Sequence, residues 1–322
     1  MLLFFSGELI EVDTTGRKLI NHTVAVLKKN GYDCIYGDTD SVYVKANSTG
    51  LFDILAEGKL IRETINNSYV DFAKQFNSDD CTLEIEFEKV FKKALFVSKK
   101  DSDVGAKKKY AYIPLWIDGK TVKDKTKVEV TGFGTVRSDL PRIARVIQRN
   151  ILEMILREEG KEKVVEYLVE MEKKVRRREI PDDEFAFPKG ISNNLADYGK
   201  STEKESASNS LSSFFYIEQQ TEKKKGIPPV IKGCIYSNKY LGTQFDMGSK
   251  PKWVYIKKVP QGYPSTEVLS FEEKIPEGFI PDYDIMCEKI FKNNIESAYI
   301  AAGFGEFPNL NSSLITLNKW GV

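Results

Sequence analysis

Histidine is almost absent. His22 is the single one in 322 residues, and the four cysteines, Cys34, Cys81, Cys234 and Cys287, stand far apart with no Cys-x-x-Cys between them. That scarcity argues against a Cys/His zinc site and supplies no disulfide framework, so the thiols read as packed side chains. One histidine without partners in a helical-looking segment reads as structural. Long apolar runs are missing as well. Met1-Leu2-Leu3-Phe4-Phe5 is too short for a signal segment and has no basic flank, and nothing approaches the roughly 20 apolar residues of a membrane span. A soluble globular chain in the cytoplasm, or in a host cytoplasm if viral, is expected. An excess of charge of one sign is also lacking: 48 lysines and arginines face 47 acids, for a net charge of +1. That argues against a uniformly basic nucleic-acid binder. The spread is uneven, however, because twelve lysines against five acids between Lys89 and Glu129 leave a local +7. Such a cluster is either a footprint for phosphates or a solvated lysine-rich surface.

What is present begins with length and pattern. At 41% hydrophobic content the chain can bury a substantial core, and its length suggests about two domains at roughly 150 residues each. After Asp13 or Thr14 as an N-cap, Leu19, Ile20, Val24 and Leu27 recur at helical spacing until Asn30-Gly31. A second amphipathic helix is predicted over about 53–76. Thr82 to Glu88 alternates with period two, and Phe91–Val97 and Lys109–Trp116 look like further strands, so this half reads as helices on one face of a small antiparallel sheet. From Ser138 the character turns helical, with Ile143, Ile147, Ile151 and Met154 as a buried stripe and Val164, Val165, Leu168, Met171 and Val175 as the next. Residues 199–213 are rich in Ser, Lys, Glu and Asn and read as a loop. Strand-like pieces near 230–236 and 253–259, then a helix over about 282–302, close the chain; no internal repeat is visible.

The motif that carries most chemistry is Tyr36-Gly37-Asp38-Thr39-Asp40-Ser41, set between the β-rich runs Tyr32–Ile35 and Val42–Val44. Two carboxylates one residue apart at the tip of a tight hairpin can face a divalent cation, the arrangement of a phosphoryl-transfer metal site. A bare Asp-x-Asp is weak, since loops collect aspartate for turn chemistry and some glycosyltransferases use the same tripeptide. The longer block, Tyr36 through Val44, resembles the most diagnostic motif of family B DNA polymerases. By that resemblance Asp40 is the primary ligand of the Mg²⁺ ions that drive nucleotide addition, and Asp38 a weaker, outer one. Lys107-Lys108-Lys109-Tyr110-Ala111-Tyr112 is similar to the segment this family places against the primer terminus. Alternation sets Lys108 and Tyr110 on one face and turns Lys109 away. Leu83-Glu84-Ile85-Glu86 resembles the acidic strand beneath the metal site, with Glu86 as an accessory carboxylate or simply part of an exposed face.

Three later stretches extend the resemblance. Thr131 to Asp139 resembles the palm-to-thumb junction, Lys189 to Tyr198 a thumb segment of T-even-like phage polymerases, and Ile231 to Asn238 a thumb strand near primer phosphates. They nominate Lys189, Asn193 and Lys232 as DNA contacts. The implied architecture is α+β: the C-terminal part of a polymerase palm over 1–130, a mainly helical thumb over 131–305, and a tail over 306–322 that is either a clamp-binding peptide or folded back on the thumb. The exonuclease, the fingers and the strand with the other palm aspartate have no counterpart here. The resemblance therefore implies a split DNA-directed DNA polymerase whose N-terminal subunit supplies them, acting on primer–template DNA and dNTP. Its open sheet edge and the apolar face of residues 14–29 are expected to be covered by that subunit. Two rivals stand beside it: a non-catalytic DNA-binding subunit of a replication complex, and a metal-dependent glycosyltransferase.

Overall fold

A computed structural model describes residues 1–6, 14–38, 40–76, 81–98, 105–124, 127–199 and 227–310. Thr39, most of the polar stretch at 199–213 and the 312–322 tail lie outside the described residues. The chain divides into two compact units, one of Met1–Phe133, Leu152–Gly160 and Ser297–Gly305, the other of Gly134–Ile151, Lys161–Glu296 and Glu306–Val322.

The first unit is built on an antiparallel sheet. Its strands are β1 (Leu2–Ser6), β2 (Cys34–Asp38), β3 (Ser41–Lys45), β4 (Glu86–Ser98), β5 (Gly105–Ile117), β6 (Lys120–Thr121) and β7 (Glu129–Thr131). The order is β2-β3-β1-β4-β5-β6, with β7 also on β5. Helices α1 (Thr14–Lys29) and α2 (Leu51–Lys74) cover one face. There Leu19, Leu27, Ile54, Ile61 and Ile65 pack on Leu3, Phe5, Val42, Val44 and Val90 of the strands. The helical spacing of those residues is why the segments are helices that stay put. Helix α1 ends where Gly31 takes the left-handed conformation at φ +80°, which glycine adopts at no steric cost. A second core gathers Leu95, Val97, Ala111, Ile113, Val128 and Phe133 with Leu152, Leu156 and Ala298.

Several expectations need correction here. The apolar face of residues 14–29 is covered by the chain's own α2 and sheet. The place beside the hairpin strand β3 is filled by β1, whose apolar run Leu2–Phe5 is buried on both faces as a central strand should be. Among the described residues, the edge strand on the hairpin side is therefore β2. Residues 82–85 are not strand, since β4 starts at Glu86; Asn66 of α2 ties Ile85 with both its amide groups, at 2.8 and 3.1 Å.

The second unit holds α3 (Arg142–Leu156, shared with the first), α4 (Lys161–Arg176), α5 (Asp182–Phe185), α6 (Leu195–Gly199) and α7 (Pro229–Tyr240). Its sheet runs β10 (Val268–Phe271), β9 (Lys252–Lys258), β11 (Ile280–Pro281), with β8 (Phe187–Pro188) also on β9. Residues 230–236, expected as strand, form helix α7. Val230, Ile231 and Cys234 fall at one-turn spacing toward a common core, Pro229 opens the first turn where its missing N–H is harmless, and Gly233 lets the helix sit directly against Ser270 of β10. β-branched residues misled the pattern because burial outweighs their propensity. The closing helix is interrupted: α8 (Tyr283–Cys287) and α9 (Asn293–Ala301) are joined by a π-helical turn, Glu288–Lys292.

Phe5 is fully buried on β1 whereas Phe52 on α2 is 84% exposed, so truncations at the two should differ. Phe5→Ala should cost about 3–5 kcal/mol and Phe52→Ala less than about 0.5 kcal/mol, read from urea unfolding midpoints. Equal midpoints would remove β1 from the centre of the sheet.

Candidate functional site

The Asp38–Asp40 pair sits at the turn between β2 and β3. Asp38 pairs with Ser41 across the hairpin, and the turn is held by the Asp40 N–H donating to the Asp38 carbonyl and by Ser41 Oγ donating to the same oxygen at 3.1 Å. Asp38 is half-buried and Asp40 exposed. Alternation puts Asp38 on the same face of β2 as Tyr36, and Ser41 on the same face of β3 as Tyr43. That face is opposite the helices.

It is an aromatic face. Phe4, Tyr43 and Phe91 are buried on it, with Tyr36, Phe96, Tyr110 and Tyr112 packed against them. The long β4–β5 hairpin curls so that β5 returns against β2. Tyr36 stacks on Phe96 at 5.0 Å, and the Tyr110 ring lies 6.3 Å from Tyr36 and 5.4 Å from Tyr43. Burial drives the Tyr43 phenol far above its ordinary pKa, with Tyr110 adding to the effect, and pushes Tyr112 up to about 12. Thus Tyr110, seventy residues after Asp40 in sequence, packs on the two strands that flank the aspartate turn. The Lys109 ammonium points to the opposite side, bonded to Ser297 Oγ at 2.7 Å and 5.1 Å from the Phe133 ring centre, and burial lowers its pKa. Lys107 and Lys108 are on β5, but their side chains lie outside the described residues.

Glu86 is not gathered to the aspartates. Ser41 pairs with Ser6 of β1, and Ser6 with Glu86 of β4. Two strand spacings, about 10 Å, therefore separate Glu86 from the hairpin tip. Among the described residues no group of three or more His, Cys, Asp or Glu can hold a metal ion. Asp38 and Asp40 by themselves offer hard carboxylate oxygens at an accessible turn. That set suits a cation such as Mg²⁺, which keeps several waters and takes one or two carboxylates together with phosphate oxygens. Beside Glu86, Glu88 accepts from the Ser6 hydroxyl; burial raises its pKa and Lys89, 3.4 Å away, opposes the shift.

In the second unit, Lys189 and Asn193 are exposed and Lys232 is half-buried on α7. Ile191 packs with Val230 and Ile231, which brings the 189–193 stretch and the first turn of α7 to one core. Asn193 donates to the Tyr198 hydroxyl at 3.3 Å. Sequence reading gave no role to β1, Tyr36 or Tyr43. The signal for the tyrosines was the alternation itself, which sets both on the face of the aspartate turn.

The family model for DNA polymerase family B matches residues 5–211, more than half of the chain. The chain is 28% identical over 189 residues to the DNA polymerase alpha catalytic subunit of Mus musculus, covering 57% of this chain and 11% of that protein. It is 31% identical over 183 residues to a DNA polymerase of Methanocaldococcus jannaschii, covering 56% and 10%. With DNA polymerase II of Escherichia coli it shares 28% identity over 197 residues, 61% of this chain and 24% of that protein. The matches thus span about a tenth to a quarter of these relatives' lengths.

The raised tyrosines give a pH test. A phenol whose folded-state pKa lies above its unfolded value near 10 contributes stability that is complete below pH 10 and lost as pH rises toward the folded value, for Tyr112 about 12. Urea midpoints should fall between pH 10 and pH 12, and the fall should be shallower in Tyr43→Phe and Tyr112→Phe. An unchanged slope in both would mean that these phenols are not buried as described.

Proposed function

The chain belongs to DNA polymerase family B, and from that premise we propose that it supplies the second half of the palm and the thumb of a DNA-directed DNA polymerase. Template-directed addition of dNTP to a primer 3′ end is the proposed reaction. The observation that supports it best is the convergence of Tyr110 on Tyr36 and Tyr43, which ties the Lys108–Tyr110 segment to the turn carrying Asp38 and Asp40. Asp40, with Asp38 beside it, would hold Mg²⁺, whose chemistry here is to acidify the 3′-hydroxyl and neutralise triphosphate charge. Tyr110 orients the primer end, its ring fixed by Tyr43, and Lys108 donates to the acceptors that every base pair shares in the minor groove. Lys189, Asn193 and Lys232 contact the duplex backbone further along. Family membership sets the glycosyltransferase reading aside.

On β1 the residue level with Ser41 is Ser6, not a carboxylate. Two cations about 4 Å apart therefore need a further aspartate, which we assign, with fingers and exonuclease, to a partner polypeptide. The same observation favours the second reading, a DNA-binding subunit without catalysis. Residues 312–322, with Leu314, Leu317 and Trp320 as anchors, are proposed as a sliding-clamp peptide.

Combined with a polypeptide carrying the missing palm aspartate, the chain should extend a primer in Mg²⁺, and alone it should not. Asp40→Ala should abolish extension by several orders of magnitude without dissociating the assembly, because Asp40 is exposed on its turn. Extension by the single chain, or by an Asp40→Ala assembly, would overturn the metal assignment; duplex binding without any extension would establish the non-catalytic reading. Lys108→Ala and Tyr110→Phe should each weaken primer use by about 1–3 kcal/mol, seen as a rise in KM for primer–template. Deleting 312–322 should reduce clamp-stimulated synthesis and spare basal synthesis.

A further inference from the structure

Between Lys108 and Tyr110 stands a cation with no part in the reading above. Lys109 lies on the face of β5 that also carries Ala111 and Ile113, both in the core with Leu95 and Val97. Half-buried there, its ammonium has exchanged water for one hydroxyl, Ser297 Oγ at 2.7 Å, and for the Phe133 ring. No carboxylate among the described residues pairs with it, and burial alone lowers its pKa. An apolar side chain would fill the position without that desolvation cost, and such exchanges are often neutral or stabilising. Stability therefore does not explain the lysine. Direction does, because a desolvated ammonium is fixed by the place of its acceptor.

Direction matters at this point of the strand. β7 pairs with β5 from Tyr112 with Glu129 to Tyr110 with Thr131. β4 pairs with it regularly from Lys93 with Ile113 to Phe96 with Tyr110, after which the register shifts and the next pair is Ser98 with Gly105. Both regular ladders thus reach Tyr110, and Lys108 is carried just beyond them. The bond to Ser297, 188 residues away in sequence, is a tie past that point. Its acceptor is itself held: Ser297 is on α9, Ala298 beside it is buried in the same core as Ala111, and Lys109, Phe133 and Ser297 all belong to the first unit.

We infer that Lys109 is a positioning residue for the primer end: bonded to Ser297, it fixes the backbone of β5 beyond Tyr110, where Lys108 is carried. The inference rests on the reading of Lys108 and Tyr110 as primer contacts.

The test is fluorescence anisotropy of a labelled primer–template duplex titrated with the full chain, each variant being checked for its fold by circular dichroism. Ser297→Ala removes the acceptor and no proposed DNA contact; it should raise Kd about threefold or more, within the coupling range of residues that share one network. Ser297→Thr, which keeps the hydroxyl, should bind like the parent. In a Lys108→Ala/Tyr110→Phe background Ser297→Ala should cost little more, because the tie acts through those two residues. Should Ser297→Ala lose its fold, Lys109→Met, whose side chain needs no acceptor, decides by the same cycle. Parent-like affinity in Ser297→Ala, or an equal fold-loss in both backgrounds, would overturn the inference while the primer contacts stand. Parent-like affinity in Lys108→Ala/Tyr110→Phe itself would instead overturn the primer-contact reading, and the inference with it.

Discussion

Phenol and phenyl rings on the concave side of the first sheet hold its site together. Tyr43 is 1% exposed and touches rings from four strands: Tyr36 on β2, Phe4 on β1, Phe91 and Phe96 on β4, and Tyr110 on β5. Edge-to-face and tilted contacts of this kind add about 0.5–1.5 kcal/mol each beyond area burial. Their larger effect is geometric. A flat sheet would leave β5 three strands away from β3, and curling around a shared aromatic core brings the far end of the β4–β5 hairpin back to the aspartate turn.

This arrangement separates rigidity from access. Leu3, Phe5, Val42 and Val44 lock the central strands against α1 and α2, while Asp40 emerges at the turn with an exposed carboxylate. A carboxylate stays available to a cation only while it is hydrated, because burying it unpaired costs several kcal/mol. Placing it one residue before the buried strand β3 meets both needs. The partly buried Lys109 shows the contrary case: its ammonium leaves water only with Ser297 Oγ and the Phe133 ring as partners.

The second unit follows a different logic. Its helix α7 reaches β10 at Gly233, where an added Cβ would meet Ser270 Oγ at 2.6 Å, and the contact is sealed by Ser237 Oγ donating to the Ser270 carbonyl at 2.7 Å. Buried serines on both elements take the place of a larger apolar interface, and each hydroxyl finds a partner as burial demands. Near the end of the unit Glu172, Arg176, Asp284 and Lys257 form a linked chain of charges in which Glu172 Oε2 has no hydrogen-bond partner among the described residues.

Helices α1 to α4, the β4–β5 hairpin and the turn at Asp38–Asp40 were legible in the sequence because each depends on local periodicity or on a short motif. The metal-binding candidates were legible for the same reason, being neighbours along the chain. Register and closure were not. The apolar run Leu2–Phe5 carries no alternation to mark it as a strand, since both its faces are buried, and only its pairing with β3 and β4 reveals it. Val230 to Tyr236 has strand-forming residues but a helical set of contacts, decided by Pro229 and by the surface offered by β10. The separation of Glu86 from Asp40 is set by a strand inserted between theirs, which spacing along the chain cannot encode. Residue type and local spacing thus determined which groups could do chemistry here; the long-range packing of rings and strands decided which of them meet.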